Sequence, residues 1–267
     1  MAEEHDLPGF DAKTPSSARI WNYWIGGKDH FAADRAVGDR VREVVPYVAV
    51  VARLTRQFLA RAVTLLATEY GIRQFLDIGS GLPTADNTHE VAQRVAPSSR
   101  IVYVDNDPQV ILHSRSLLRS SPEGAVDYLQ ADLRDVDTIL SGAAQTLDFS
   151  QPIAILIFQV LHFIPDAEDP YGIVRRLTDA VPPGSFLVVA HGAADIDPEV
   201  SGETSQRYNQ LAPLNLTLRS SADVARFFTG FELIGPGLVS GAEWLPDIDP
   251  GAKTVSFGHH GIARKPG

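Results

Sequence analysis

The chain has 267 residues, 44% of them apolar and 21% charged, enough to bury one substantial core with a few helical additions. Its net charge of −10, with lysine only at Lys13, Lys28, Lys253 and Lys265, leaves no basic stripe to neutralise phosphates, which argues against nucleic acid and anionic membranes as partners. The absence of cysteine excludes disulfides, thiolate nucleophiles and cysteine-held zinc or iron–sulfur centres.

Residues 1–14 read as a polar lead-in, and the acidic start MAEEHDLPGF has no signal-peptide pattern. No apolar run approaches the roughly 20 residues of a membrane span. The longest, Ile153–Phe158, is strand-sized, so a cytoplasmic protein is expected. Ser16 or Ser17 can cap a first helix, SSARIWNYWIGG, with Ile20, Tyr23 and Trp24 on one broad side and Gly26-Gly27 ending it. A second helix, capped by Asp29, is predicted from about Phe31 toward Val45, where Pro46 follows. A third carries Val51, Leu54, Phe58, Ala62 and Leu65 at three- and four-residue spacing and stops at Tyr70-Gly71. Residues 1–70 thus read as a helical extension.

Beyond Gly71, short apolar runs alternate with helical patterns. Strands are predicted at 74–78, 100–104, 127–130, 153–158 and 186–190. Helices are predicted at 88–95, 108–118, 136–147, 170–181 and 221–228. Asn87 and Glu90 match a capping box, and Pro108 suits the first turn of its helix. Such alternation means parallel strands joined by right-handed crossovers, with helices on both faces. Uninterrupted apolar strands are what two buried faces require. The last third is less regular: an inserted helix at 197–212, then strands at 231–239 and 254–263 across a Gly/Pro-rich connection. Residues 71–267 read as one α/β domain.

The first strand ends Asp77-Ile78-Gly79-Ser80-Gly81. In an open α/β sheet, ligands bind beyond the carboxyl ends of the strands, and glycines there let the backbone approach a ligand closely. A bare Gly-x-Gly is equally a tight βα turn. The second strand, however, runs into Asp105 about 25 residues on, where an acid can accept from both ribose hydroxyls. The third ends at Asp132-Leu133, an acceptor for an adenine amino group and an apolar surface for the ring. Asp105 and Asp132 have a plainer alternative as caps of the helices that follow. Acids at successive strand ends favour an adenosine-containing ligand.

Pyrophosphate is disfavoured. It wants a short glycine turn leading straight into a helix, but Leu82-Pro83-Thr84 stands where the third glycine belongs and delays the helix. Asp77 just ahead of the loop would also repel a polyanion. No lysine of the Walker kind follows the loop, which speaks against ATP. S-adenosylmethionine has no phosphate and carries an ammonium and a sulfonium, so an acid in the first strand suits it.

Phe75-Leu-Asp-Ile-Gly-Ser-Gly81, Tyr103-Val-Asp-Asn-Asp-Pro108, Ala131-Asp-Leu133 and Leu161-His-Phe-Ile-Pro-Asp166 resemble the successive motifs of class I S-adenosylmethionine-dependent methyltransferases. The block ARIWNYWIGGKDHFAADR, Ala18 to Arg35, with GSGLPT and NTHEVAQ, is similar to an actinobacterial methyltransferase family, over nearly the whole chain. The resemblance implies a Rossmann-like, seven-stranded, mostly parallel sheet of order 3-2-1-4-5-7-6 with its last strand antiparallel. It implies S-adenosyl-L-methionine as cofactor. Asp77, Gly79, Ser80 and Gly81 would line its methionine end, and Asp105 would hold the ribose with Asn106 beside the adenine. Asp132 and Leu133 would contact the adenine, and Gln159 and Val160 would lie under the methionine. Leu82–Thr84 departs from the common glycine loop.

The fourth strand should end beside the reacting methyl. Its exit, FQVLHFIPD, lacks the Asp/Asn-Pro-Pro-aromatic motif of amino-directed nucleic-acid methyltransferases and looks more like small-molecule enzymes. His162 is the candidate base, against the plainer reading of a packed histidine; His191 is a second. His259-His260 reads as a solvated pair and not a metal site, because neighbours on a strand point to opposite faces. Tyr23, Trp24, Gly26, Gly27 and His30 are candidate acceptor-facing residues in an N-terminal lid. The expected partners are a small-molecule methyl acceptor and a second copy of the chain in a homodimer. A nicotinamide-dependent oxidoreductase and a non-catalytic cofactor sensor are the alternatives.

Overall fold

The computed structural model describes residues 11–212, 214–245 and 258–267. Five strands lie parallel: β1 (Gln74–Ile78), β2 (Arg100–Asp105), β3 (Ala125–Gln130), β4 (Ala154–Phe158) and β5 (Phe186–Gly192). Their order is β3-β2-β1-β4-β5, followed by β8 (Gly258–Arg264) and β6 (Glu232–Leu233). β8 runs antiparallel to β5 and to β6, and a further strand, β7 (Val239–Ser240), also pairs with it.

The expected order is present, with eight strands instead of seven. The predicted strand 231–239 is split because Pro236 has no N–H to donate and Gly237 turns the chain at φ +103°. The predicted strand 254–263 begins at Gly258; positions 254–257 lie outside the described residues. β1 and β4 are buried at every position, as both faces are covered, whereas β3 closes one edge and is only partly buried. His259 and His260 are buried, which corrects the solvated reading: β8 sits inside the sheet between β5 and β6. They do point apart, His259 to Asp195 at 2.5 Å and His260 onto the Phe58 ring.

Nine helices surround this sheet among the described residues: α1 (Ser17–Ile25), α2 (Ala32–Val44), α3 (Val48–Thr68), α4 (Thr88–Val95), α5 (Pro108–Leu117), α6 (Val136–Ala143), α7 (Pro170–Asp179), α8 (Pro198–Leu211) and α9 (Ser221–Ala225). Asp29 does not cap α2. Phe31 holds that position, and its N–H donates to Asp34 at 2.7 Å. α6 and α7 end earlier than predicted, and α9 passes into a 3-10 turn over Arg226–Phe228. Asn87 and Glu90 form the expected capping box on α4.

The two sheet faces carry separate cores. One gathers Ile139, Leu177, Val189 and Phe227 from α6, α7, β5 and the turn after α9. The other packs Phe58, Ala62 and Leu66 of α3 against Phe75, Leu156 and Val188 of the sheet. α3 therefore belongs to the sheet's own packing. α1, α2 and α8 form a smaller cluster around Ile20, Val37, Val41 and Tyr208. A buried ion pair at 2.9 Å, Arg19 to Asp34, ties α1 to α2, and Arg19 also donates to Gln109 of α5 at 3.1 Å. This cap stands beyond the carboxyl ends of β1 and β4, where strand order reverses and ligands bind.

Candidate active site

Two hydrogen bonds hold the glycine loop to the neighbouring strand: Gly79 N–H at 2.7 Å and Ser80 N–H at 3.2 Å both donate to the Val104 carbonyl. Gly79 adopts φ +73°, and a Cβ there would lie 2.0 Å from Val160 Cγ2. No side chain fits, because the Val160 side chain of the turn after β4 packs directly on the Gly79 backbone. Gly81, at φ +68°, has open space around it; its N–H donates to Asp105 Oδ2 at 2.9 Å. Asp107 N–H donates to Asp105 Oδ1 at 3.0 Å. Each Asp105 oxygen thus keeps a free lone pair for a further donor. Burial raises its pKa to about 6, despite those two backbone donors.

Asp77 is also buried, and its pKa is pushed to about 6 by burial. The Thr88 hydroxyl donates to it at 2.6 Å and Arg56 attracts it, both opposing the rise. Arg56 comes from α3. Its Nε is buried with no hydrogen-bond partner among the described residues, and so is the Ser80 Oγ. Burial holds the Arg56 pKa below its usual value. Arg56, Asp77 and Ser80 share one small polar recess with Asn87 and Thr88. Sequence reasoning missed Arg56, because nothing in its spacing separates it from the exposed Arg53 and Arg61 on the same helix.

Asn106, Asp132 and Leu133 lie at the other end of the cleft. Burial would raise Asp132, but the Arg134 N–H at 2.9 Å and the Arg134 guanidinium at 3.1 Å outweigh it and hold the carboxyl below its usual range. The Asn106 amide reaches Asp132 at 3.5 Å. Gln159 sits at φ +56°, a left-handed conformation unusual outside glycine, with its N–H bonded to the Ala190 carbonyl at 2.8 Å. Gln159 and Val160 line the cleft opposite Gly79.

A cavity of about 270 Å³ runs from this cleft to α1, α3 and α8. His162 lines it from a 3-10 turn after β4. The ring is buried, and its Nδ1 has no partner among the described residues. Burial first, then His191 and Arg219, keep it neutral by holding its pKa well below the usual value. His191 is fixed differently: Nδ1 donates to the Gly192 carbonyl at 2.8 Å and Nε2 accepts from Arg219 at 3.0 Å. With both nitrogens engaged, it has no free site for an acceptor's proton.

Trp24 lines the cavity beside Trp21, whereas Tyr23, Gly26, Gly27 and His30 stand outside the lining. The Tyr23 hydroxyl donates to Asp39 at 2.6 Å. Gly26 ends α1 at φ +86°, and a Cβ on Gly27 would lie 2.3 Å from Asn22 Nδ2. Asn22 Oδ1 accepts from Asp29 N–H at 3.0 Å, and His30 Nε2 meets the Gly27 carbonyl at 3.1 Å. This turn shapes the end of α1. No group of three or more His, Asp or Glu side chains among the described residues is placed to hold a metal ion.

A parallel sheet with one antiparallel strand inserted next to β5, a glycine loop after β1 and a buried acid ending β2 define the class I S-adenosylmethionine-dependent methyltransferase fold. The chain belongs to the S-adenosyl methyltransferase family, whose family model matches residues 3–266. It is 42% identical to a DUF574 family protein from Streptomyces avermitilis, over 96% of this chain and 99% of that one, with a TM-score of 0.91. A candidate methyltransferase from Thermobifida fusca is 38% identical over 99% of this chain and 100% of its own, with a TM-score of 0.89. The plantazolicin methyltransferase BpumL, crystallised with SAH, shares the fold alone, at 12% identity and a TM-score of 0.54 over 94% of this chain and 96% of that one. No curated protein matches the chain in sequence. The chain is thus an S-adenosylmethionine-dependent methyltransferase, and no helix among its described residues is long and apolar enough to cross a membrane.

The residues present fit that cofactor. Asp105 has lone pairs to spare, the open space around Gly81 leaves room, and the orphaned Arg56 Nε and Ser80 Oγ stand beside buried Asp77.

Proposed function

We propose that this methyltransferase methylates a small-molecule acceptor, at oxygen or nitrogen, held in the part of the cavity roofed by α1, α3 and α8. The observation that carries this reading is continuity: one cavity reaches from Asp77, Gly79 and Asp105 to His162, Trp24 and Tyr208. When bound, the cofactor supplies a methyl group activated by cationic sulfur. In this reading Asp105 accepts from the ribose hydroxyls, with Asn106 beside the adenine. Leu133 packs on the ring and Asp132, braced by Arg134, marks the polar edge of that pocket. Asp77 and Ser80 receive the ammonium, and the Arg56 guanidinium receives the carboxylate, a charge-assisted contact. Gln159 and Val160 form the floor under the methionine chain.

Positioning and exclusion of water then supply much of the rate. The apolar cover from α1, α3 and α8 keeps water from the acceptor, and α1, backed by α2, acts as its lid. His162, neutral and without an internal partner, takes the acceptor's proton. Incubating the protein with methyl-labelled S-adenosylmethionine and an actinobacterial cell extract tests the reading. Label is expected in the small-molecule fraction; label confined to protein or nucleic acid, or to neither fraction, would contradict it.

A further inference from the structure

The acceptor half of the cavity is unusual in what it lacks. Its walls are Ile20, Trp24, Val48, Phe163, Leu216 and their neighbours, and its only charged lining residue among those described is Asp197. Asp197 is exposed at the rim and is engaged as the cap of α8, accepting from Val200 N–H at 3.2 Å. The other polar walls are mostly satisfied by their own backbone. Thr55 donates to the Val51 carbonyl at 3.1 Å, Ser201 to Ala193 at 2.9 Å and Thr204 to Val200 at 2.6 Å. Trp24 Nε1 donates to the Gly38 carbonyl at 3.2 Å.

Two buried polar side chains are left over. One is His162. The other is Tyr208 of α8, whose side chain is 4% exposed and whose hydroxyl lines the cavity without a hydrogen-bond partner among the described residues. Phe163 stands between them, its ring centroid 4.3 Å from that of His162 and 5.8 Å from that of Tyr208. Unlike His162 Nδ1, the Tyr208 hydroxyl is not sealed from solvent; it opens to the cavity, where a polar group of a ligand can bond to it. A charged acceptor would instead lose its hydration with no counter-charge inside.

Resting on the proposed methyl-acceptor reading, we infer that the acceptor is an uncharged, largely apolar molecule with one polar group, and that Tyr208 is the side chain that positions it. Ammonium and carboxylate compounds of the same size are excluded by the absence of an internal partner. Tyr208 selects and orients the acceptor, and His162 stands beside the group that reacts.

The test uses the full chain saturated with S-adenosylhomocysteine. Its binding is measured first by calorimetry; failure there removes the functional reading itself, independently of this inference. Three probes on one ring skeleton are then titrated at pH 7: 2-naphthol, 2-naphthoate and 2-naphthylmethylammonium. The expected result is 2-naphthol binding at least tenfold more tightly than either charged probe. Tyr208→Phe should weaken 2-naphthol about tenfold while leaving S-adenosylhomocysteine affinity unchanged, which also shows that the variant is folded. Equal or tighter binding of a charged probe, or no 2-naphthol binding, overturns the inference about charge. Unchanged 2-naphthol affinity in Tyr208→Phe overturns the role given to Tyr208.

Discussion

Gly79 and Gly81 both have positive φ, but only Gly79 is also crowded. The difference predicts different variants. Gly81→Ala pays only the left-handed backbone, about 1 kcal/mol. Gly79→Ala adds a collision with Val160 and should lose about 3 kcal/mol or more, with weaker cofactor binding, because either the loop or the floor must move. Denaturant melts of the two variants check this; equal losses would contradict the account. Asp77 and Asp105 make a pH prediction. Burial raises both to about 6, above the ordinary carboxylate range they have when unfolded. The folded, cofactor-free protein therefore holds protons more tightly, so their contribution to stability is full below about pH 4 and is lost as pH rises through about 6. In the proposed reading Asp77 receives the cofactor's ammonium and must be ionised to do so, so affinity for S-adenosylhomocysteine should be flat above pH 6 and fall as pH drops below it. Asp77→Asn should make that fall shallower, leaving the share that comes from Asp105. Arg56→Met should weaken S-adenosylhomocysteine by roughly tenfold or more while sparing adenosine, which has no carboxylate.

At the level of elements, the N-terminal cap is held differently from the sheet. α3 shares the large apolar core, but α1 and α2 have only a small cluster and the buried Arg19–Asp34 pair. Removing one member of a buried pair costs about 3–5 kcal/mol because the other charge is left without a partner. Arg19→Met should therefore raise hydrogen exchange in α1 and α2 while leaving β1, β4 and β5 protected. Equal loosening of sheet and cap would show that the cap is not a separate unit of stability. The strands and most helices were legible because strand–helix alternation, Asn87–Glu90 and Pro108 are local signals. Strand 231–239 was misjudged because Gly235-Pro236-Gly237 interrupts a pattern whose apolar residues otherwise look continuous. Asp29 looked like a cap by residue type, but Asp34 reaches back to Phe31 from inside the helix.

Across the whole molecule, the residues lining the cleft at the strand ends were largely legible, and those that α3 and α8 add to the cavity were not. Asp77, Gly79, Gly81 and Asp105 follow from the spacing of a single β–loop–α–β unit. Arg56, Phe163 and Tyr208 come from α3, the turn after β4 and α8, and only the folded chain brings them to one cavity. Their sequence neighbourhoods carry no mark of it. Gly26, Gly27 and His30 show the converse: a conspicuous local pattern that builds a helix end instead of facing the cavity. Leu82 is buried, and Pro83 and Thr84 delay α4 until Thr88, so the loop opens onto Asp77 and Arg56 and does not present a helix N-terminus to a pyrophosphate.

The central claim is that Asp105, at the end of β2, anchors an adenosine cofactor in this cleft. Calorimetric titration of S-adenosylhomocysteine into the wild-type chain and into Asp105→Ala, side by side, tests it most directly. The account predicts one-to-one binding in the wild type and a loss of at least a hundredfold in the variant, which stays folded. No heat with the wild type at millimolar ligand, or equal binding to both proteins, would contradict it.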